Sequence, residues 1–562
     1  MKKIILFLLI SIFILCQVSD ASENILKIGM QNEPKTLNPF TASDMWSKNV
    51  IERIYEDLYT VAPKTFEIIP WVAEGPSEYN KENNTAIVKM RKAKWHDGTP
   101  VTAHDVVFTA NVIKDFKVPR YRARWKFVKK IEAIDDYTIK YTLSQPMAIF
   151  YTHTLLSFIV QKSKWQPIVE KAKKSEKPLR TLLNYKNPSP LGNGAFKFVS
   201  WRRGSSIKLE RNPDYFAANR ELNGKKVGPY IDGILFKIYG TTDAAILALK
   251  KGDVDYIWWS IQPGYIDDLR KDPQIALTEN KENGLRYFAF NLRKPPFNDK
   301  NFRHAVAYLI NKDFMVKRIL HGHGSRLDSI VPPGNEFWHN PDVPRYGKGM
   351  TKIERVKRAI EILKRSGYTW EKEVELKNNS FTRGEGLKMP NGKKVPDIDI
   401  LTPPADYDPL RAMSGIVIQE WLKDIGINAF AKPASISFII DKVKLKQDFD
   451  TFILGYRLGI DPDYIQNFFH SSQITRRGRN TSAYNNPSFD KLANESAKEL
   501  EREKRRKIIF EMQSILMEDI PWIPLFNASV IEGYRKNRFS GWVNQLNGIG
   551  NYWSFLFIKP LK

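Results

Sequence analysis

The chain has 562 residues, 42% of them apolar and 12% aromatic, with one cysteine and a formal charge of +26. That length predicts three or four domain-sized units, and the apolar content excludes a disordered chain and suffices for a large core. Lys and Arg are interspersed with Asp and Glu, so the positive balance reads as a solvated surface; the lysine-richer stretches 162–177 and 352–372 read as exposed helix faces, without the Gly/aromatic pattern of an RNA-recognition motif.

Lys2 and Lys3 precede an apolar run, 4–16, broken only by Ser11, and Ser19 and Ala21 follow with small-x-small spacing. This predicts a secretory signal peptide, 1–21, cut after Ala21. The run is too short to span a membrane, and no later stretch is long enough. A lipoprotein requires a small residue before its cysteine; Leu15 precedes Cys16, so lipid anchoring is not expected. Cleavage after Ala21 would remove the sole cysteine, and with it disulfides, thiolate catalysis and thiolate-ligated metals.

Residues 25–30 alternate like a strand, and the following 31–39 carry Pro34 and Pro39, which stop any regular element. Residues 41–46 lead into a predicted helix over 48–58. Residues 85–90 alternate, Asp97-Gly98 signals a turn, and Thr102 with Asp105 has capping-box spacing ahead of Val106, Val107, Ala110 and Ile113. The reading is strand, turn, capped helix. His96-Asp97 has no accompanying nucleophile and reads as a hydrogen-bonded corner. Residues 131–143 alternate around Asp135-Asp136, a hairpin-like turn. In the 190–198 stretch, PLGNGAFKF, glycines permit a tight turn into a strand. A phosphate loop would open a helix instead. Trp258 and Trp259 follow a helix-turn-strand pattern at 245–255 and fit either core or cleft. His321 and His323 flank Gly322 with no third ligand nearby, so no metal site is expected. Further on, 398–401 reads as a buried strand, 402–407 as a loop, 410–422 as a helix, 449–455 as a strand and 502–519 as a helix. No G-x-S-x-G, H-E-x-x-H or Walker A pattern occurs.

The stretch 94–109, KWHDGTPVTAHDVVFT, resembles the signature of family 5 extracellular solute-binding proteins, the dipeptide and oligopeptide receptors of ABC importers. PKTLNP at 34–39, YEDL at 55–58, PLGNGAFKF at 190–198, RNPDYF at 211–216, AILALKKGDVD at 245–255, YFAFNLRKPPFN at 287–298, NNPSFDKL at 485–492 and IPWIPLF at 520–526 resemble further family motifs, in the family's order. Asp57, Asn193 and Ala195 depart from the usual residues.

The resemblance implies an α/β, two-lobe periplasmic-binding-protein type II-like fold with an extra subdomain in the first lobe (cluster C architecture). Expected divisions are 1–21 signal peptide, 22–68 lobe I, 69–189 extra subdomain, 190–284 lobe I, 285–522 lobe II and 523–562 lobe I, with the crossings at 287–291 and near 520–526. It implies a monomeric periplasmic receptor, not an enzyme, that closes on a short peptide and docks on an ABC permease. No cofactor, metal or nucleic acid is expected. Implied ligand-binding residues are Asn32, Glu33, Thr41, Asp44, Trp46 and Trp258 from one lobe and Thr402, Tyr407, Tyr456 and Arg457 from the other. Peptide receptors of the family carry an Asp in W-x-x-D-x-x-D/E-P that pairs with the ligand's α-amino group. The matching stretch 456–463, YRLGIDPD, has Leu458 three residues before Asp461. Either the amino group is captured differently, or the ligand is not a simple free peptide. Nickel chelates, oligosaccharides and opine-like compounds are the alternatives within the family, and a secreted peptidase the alternative outside it. Asp461-Pro462-Asp463 itself reads as a helix N-cap with Pro in the first turn.

Overall fold

The computed structural model describes residues 24–378 and 380–561; the expected signal peptide lies outside them. Strand Ile25–Met30 pairs parallel with Gly233–Ile238 on one side and Tyr256–Ile257 on the other, and its Leu26, Ile28 and Met30 are fully buried. It lies in the interior of a seven-stranded sheet in the order Ile275–Asn280, Val530–Arg535, Tyr256–Ile257, Ile25–Met30, Gly233–Ile238, Ser206–Arg211, Phe196–Arg202. A second sheet has six strands in the order Gly324–Arg326, Trp522–Ala528, Gly284–Phe290, Thr451–Arg457, Ile398–Thr402, Ala429–Pro433. Each sheet carries its own apolar core, which makes two lobes.

The chain passes between the lobes twice, between Asn280 and Gly284 and again at Ser529. The return crossing therefore lies beyond the 522/523 boundary expected from sequence. Trp522–Ala528 is hydrogen-bonded inside the second sheet, antiparallel to Gly284–Phe290, so neither 287–291 nor 520–526 is a crossing.

The first lobe carries a four-stranded sheet, Glu78–Asn80, Thr85–Lys89, Thr138–Leu143 and Val128–Asp135, packed against helix Ala103–Asp115. The corner at 95–105 fastens it. Asp105 accepts from the Thr102 N–H (2.9 Å), the Trp95 indole (3.2 Å) and the Lys162 N–H (2.7 Å). His96 Nδ1 accepts from the Gly192 N–H (3.3 Å), and its Nε2 lies 3.0 Å from the Gly194 carbonyl, which makes Nε2 the protonated nitrogen. Burial pushes His96 down to about 4, so it is neutral and structural. Gly192 and Gly194 serve close approach rather than the tight turn expected: neither has positive φ, and a Cβ on Gly192 would lie 1.9 Å from the Ile54 carbonyl oxygen.

That contact also sets the helix after the first loop. It spans Met45–Ile54, earlier at both ends than the sequence pattern suggests. Asp44 caps it by accepting from the Ser47 N–H (2.8 Å). At the other end the Ile54 carbonyl accepts from Gly194 (2.9 Å), and the Glu56 N–H turns away to Asn193 Oδ1 (2.9 Å).

Candidate functional site

A chamber of ≈ 1050 Å³ opens between the lobes. The loop after the first strand supplies Asn32, Glu33 and Lys35; helix Met45–Ile54 supplies Trp46, Lys48, Asn49, Glu52 and Arg53; the stretch after Tyr256–Ile257 supplies Trp258 and Trp259. Val530, Glu532 and the C-terminal segment from Gln545 to Tyr552 add to the first-lobe wall, and Arg457 is the contribution of the second lobe. Two further chambers, of ≈ 370 and ≈ 520 Å³, continue the cleft: the first shares Lys48, Glu52 and Tyr552 with the main chamber, and the second shares Val61, Phe66 and Ile460 with the first.

Aromatic rings give the main chamber its firmest wall. Trp46 meets Trp258 edge-on with centroids 5.1 Å apart and lies tilted against Trp259 at 5.4 Å. The guanidinium of Arg457 stands 5.7 Å from the Trp259 ring, a cation–π contact across the cleft. Trp258 is fixed by its indole, which donates to the Gly550 carbonyl (3.1 Å).

The acidic groups at this wall are largely engaged by protein donors. Glu33 accepts from the Trp201 indole (2.7 Å) and the Gly204 N–H (3.1 Å). Glu532 accepts from the Tyr256 hydroxyl and the Ile549 N–H. Behind the wall, Glu56 accepts from Trp71 (3.1 Å), Tyr215 (2.8 Å) and Tyr552 (2.7 Å). Burial pushes both Glu56 and Glu532 up to about 7. Lys48 is lowered by burial and then by repulsion from Arg120.

The hinge is tied to the cleft wall. Asn283, fully buried, meets no donor at Oδ1 among the described residues but donates Nδ2 to the Leu458 (3.1 Å) and Gly459 (2.8 Å) carbonyls, and its N–H donates to Asn547 Oδ1 (2.8 Å). Asn547 returns its own N–H to the Lys281 carbonyl (2.8 Å). At the opposite end, His153 of the first lobe lies 3.2 Å from Asp463 of the second, and Arg502 lies 3.2 Å from Glu67.

Residues 67–476 match the family described as bacterial extracellular solute-binding proteins, family 5. The chain belongs to that family. This solute-binding protein is 26% identical over 509 residues to the oligopeptide-binding protein AppA of Bacillus subtilis (strain 168), covering 89% of this chain and 86% of that one. Its fold matches the structure of AppA from Bacillus subtilis in complex with a nonapeptide (TM-score 0.70, 24% identity, 96% of this chain and 99% of that one). It equally matches NikZ from Campylobacter jejuni in complex with Ni(L-His) (TM-score 0.71, 21% identity, 96% and 99%).

Of the residues singled out from sequence, Asn32, Glu33, Asp44, Trp46, Trp258 and Arg457 gather around the main chamber of the solute-binding protein. Asp44 and Glu33 do so with their carboxylates already spent, on a helix cap and on the Trp201 hairpin. The others lie elsewhere. Thr41 sits in the turn closed by its N–H on the Asn38 carbonyl (3.1 Å). Thr402 is fully buried at a strand end, and Tyr407 is 63% exposed outside the cleft. Tyr456 stacks between Tyr287 (5.8 Å) and Phe468 (4.6 Å), because alternate residues of strand Thr451–Arg457 face opposite ways and Arg457 takes the cleft side. Asn49, Lys48, Arg53 and the 545–552 segment belong to the wall and were not anticipated.

Asp461 makes the capping bond expected of it, its Oδ1 accepting from the Asp463 N–H (3.0 Å) across Pro462, but both aspartates have a second engagement. Asp461 is buried in a bidentate pair with Arg505, one contact at 2.8 Å. The helix begins at Tyr464, after Pro462, and Asp463 does not cap it: its carboxylate reaches His153. Among the described residues no group of three His, Cys, Asp or Glu side chains converges as a metal would require, and no helix is long and apolar enough to cross a membrane.

Proposed function

We propose that this protein is the periplasmic receptor of an ABC importer, capturing oligopeptides or dipeptides between its lobes and delivering them as a monomer to the membrane permease. The observation that carries this reading is the cleft of connected chambers, walled by two lobes that two short crossings join among the described residues. Such a connection lets the lobes rotate onto a ligand, and closure strengthens every hydrogen bond made to it by removing water. A chain of chambers suits an extended ligand, whose backbone can pair with protein backbone irrespective of its sequence. The relative AppA is named as oligopeptide-binding, and its structure holds a nonapeptide. Export through the 1–21 segment places the receptor beside its permease.

Binding rather than catalysis is supported by the state of the polar groups. His96, adjacent to Asp97 in sequence, is neutral and committed to two backbone partners. Asp461 is committed to Arg505, and Leu458 is buried. The α-amino group of a peptide would therefore find its acceptor elsewhere in the cleft.

Native mass spectrometry of the protein as purified, repeated after acid release, tests the proposal. A ladder of short peptides is the expected result. A single non-peptide mass, a sugar series or a nickel chelate would replace the peptide with that ligand class.

A further inference from the structure

Helix Met45–Ile54 buries a stripe at i, i+3, i+4, i+7 and i+8: Trp46, Asn49, Val50, Arg53 and Ile54. Two of these core positions are polar, and both side chains line the main chamber. Arg53 is 3% exposed and Asn49 2%. They share one bond, from Arg53 Nη2 to Asn49 Oδ1 (3.0 Å); Nη2 also makes a long contact with the Gly550 carbonyl (3.5 Å). Arg53 Nε and Nη1 and Asn49 Nδ2 meet no partner among the described residues. The ring of Phe555 backs the guanidinium at 3.9 Å and fixes its plane.

No carboxylate stands within ion-pair distance of Arg53 among the described residues. Glu52, the nearest acid in effect, is exposed to solvent; Glu56 is held by Trp71, Tyr215 and Tyr552; Glu532 is held by Tyr256 and Ile549. Burial lowers Arg53 only to about 10, so it stays charged at neutral pH. A buried cation with no counter-ion is strongly unfavourable. Beside a ligand chamber, that cost is recovered when the ligand brings the counter-charge.

We propose that Arg53 and Asn49 form a carboxylate-receiving subsite in the first-lobe wall, with Arg53 Nε and Nη1 and Asn49 Nδ2 donating to a ligand carboxylate. Nε–H and Nη1–H lie on different edges of the guanidinium, so each offers a carboxylate oxygen one charge-assisted hydrogen bond. The subsite makes a free carboxylate a requirement for tight binding. It rests on the receptor reading in taking this cleft as the ligand site. The carboxylate can come from a peptide's C-terminus or from an acidic side chain.

The test uses full-length mature protein stripped of ligand and three tripeptide pools: one with free C-termini and no acidic residues, the same pool amidated, and an amidated pool with Glu at the central position. Wild type is expected to bind the amidated pool at least 10-fold more weakly than the free-acid pool. Recovery with the Glu pool identifies a side-chain carboxylate as the source; no recovery identifies the terminus. N49D, which supplies Arg53 with a protein carboxylate, is expected to melt at or above wild type and to bind the free-acid pool at least 10-fold more weakly. R53M keeps the apolar stem and is expected to treat acid and amide alike. Equal binding of both pools by wild type, or retained discrimination in R53M, overturns the subsite. If no pool binds wild type, the peptide reading fails separately, and glutarate decides the subsite. A rise in melting midpoint in wild type that is absent in N49D supports it, and no rise in wild type overturns it.

Discussion

At the hinge end of the cleft, the lobes are joined by neutral amides: Asn283 bonds the Leu458 and Gly459 carbonyls and Asn547, and Asn527 Nδ2 donates to the Glu282 carbonyl (2.6 Å). At the mouth they meet through charges, His153 with Asp463 and Arg502 with Glu67. Buried amide bonds to backbone carry no net charge, so neither pH nor salt alters them. Ion pairs at a partly wet rim respond to both. The difference separates two kinds of contact: those at the pivot are independent of pH and salt, while the charged ones respond to both.

The strongest way to break this comparison is at the pivot. Asn283→Ala removes the Nδ2 bonds and leaves the buried Leu458 carbonyl without that donor, and is expected to cost about 2 kcal/mol of stability. Urea unfolding measures it, and a loss that varied with pH or salt would erase the distinction between the two ends.

A smaller effect is expected at the mouth. Burial disfavours the charged form of His153, and Arg124 repels it, but the Asp463 carboxylate outweighs both and raises its pKa; Asp463 is held below the usual carboxylate range by the same pair. The pair therefore supports closure in full below the ordinary histidine value of about 6.5 and loses its contribution as pH rises through the raised one. His153→Ala is expected to weaken ligand binding by about 1 kcal/mol at pH 5.5 and by nothing at pH 9, read by titration calorimetry across that range. A variant as pH-dependent as wild type would assign the dependence to another group.

Arg502 and Glu67 are 35% and 56% exposed, so their pair should matter least. Glu67→Ala is expected to weaken binding by about 0.5 kcal/mol at low salt, with no difference left at about 1 M. An effect that survived high salt would move this contact from the tunable class to the fixed one.

The elements most legible in the sequence are those whose pattern is local. Helix Arg502–Asp519 and strand Ile25–Met30 appear where periodicity and alternation place them. Element ends are less legible, because partners remote in sequence set them: the Ile54 helix end depends on Gly194, and the return crossing depends on Trp522–Ala528 pairing with Gly284–Phe290. In the site, the first loop and helix were readable through family motifs. Tyr456 and Arg457 were not separable, because adjacent residues of a strand face opposite sides and only the sheet says which side meets the cleft. Asn49 and Arg53 did leave a signal, two polar residues on an apolar helical stripe, but a stripe alone does not say what it faces.

By itself, then, the sequence determined that this chain makes alternating strands and amphipathic helices in the order of a two-lobed receptor, since side-chain periodicity and turn chemistry act over a few residues. Only the tertiary structure decided which charges are spent and which are free. Asp461 meets Arg505, and Asp463, two residues on, meets His153 in the other lobe. Arg53 meets no carboxylate among the described residues. Electrostatic pairing acts through space, and its partners are fixed only when the fold brings remote segments together.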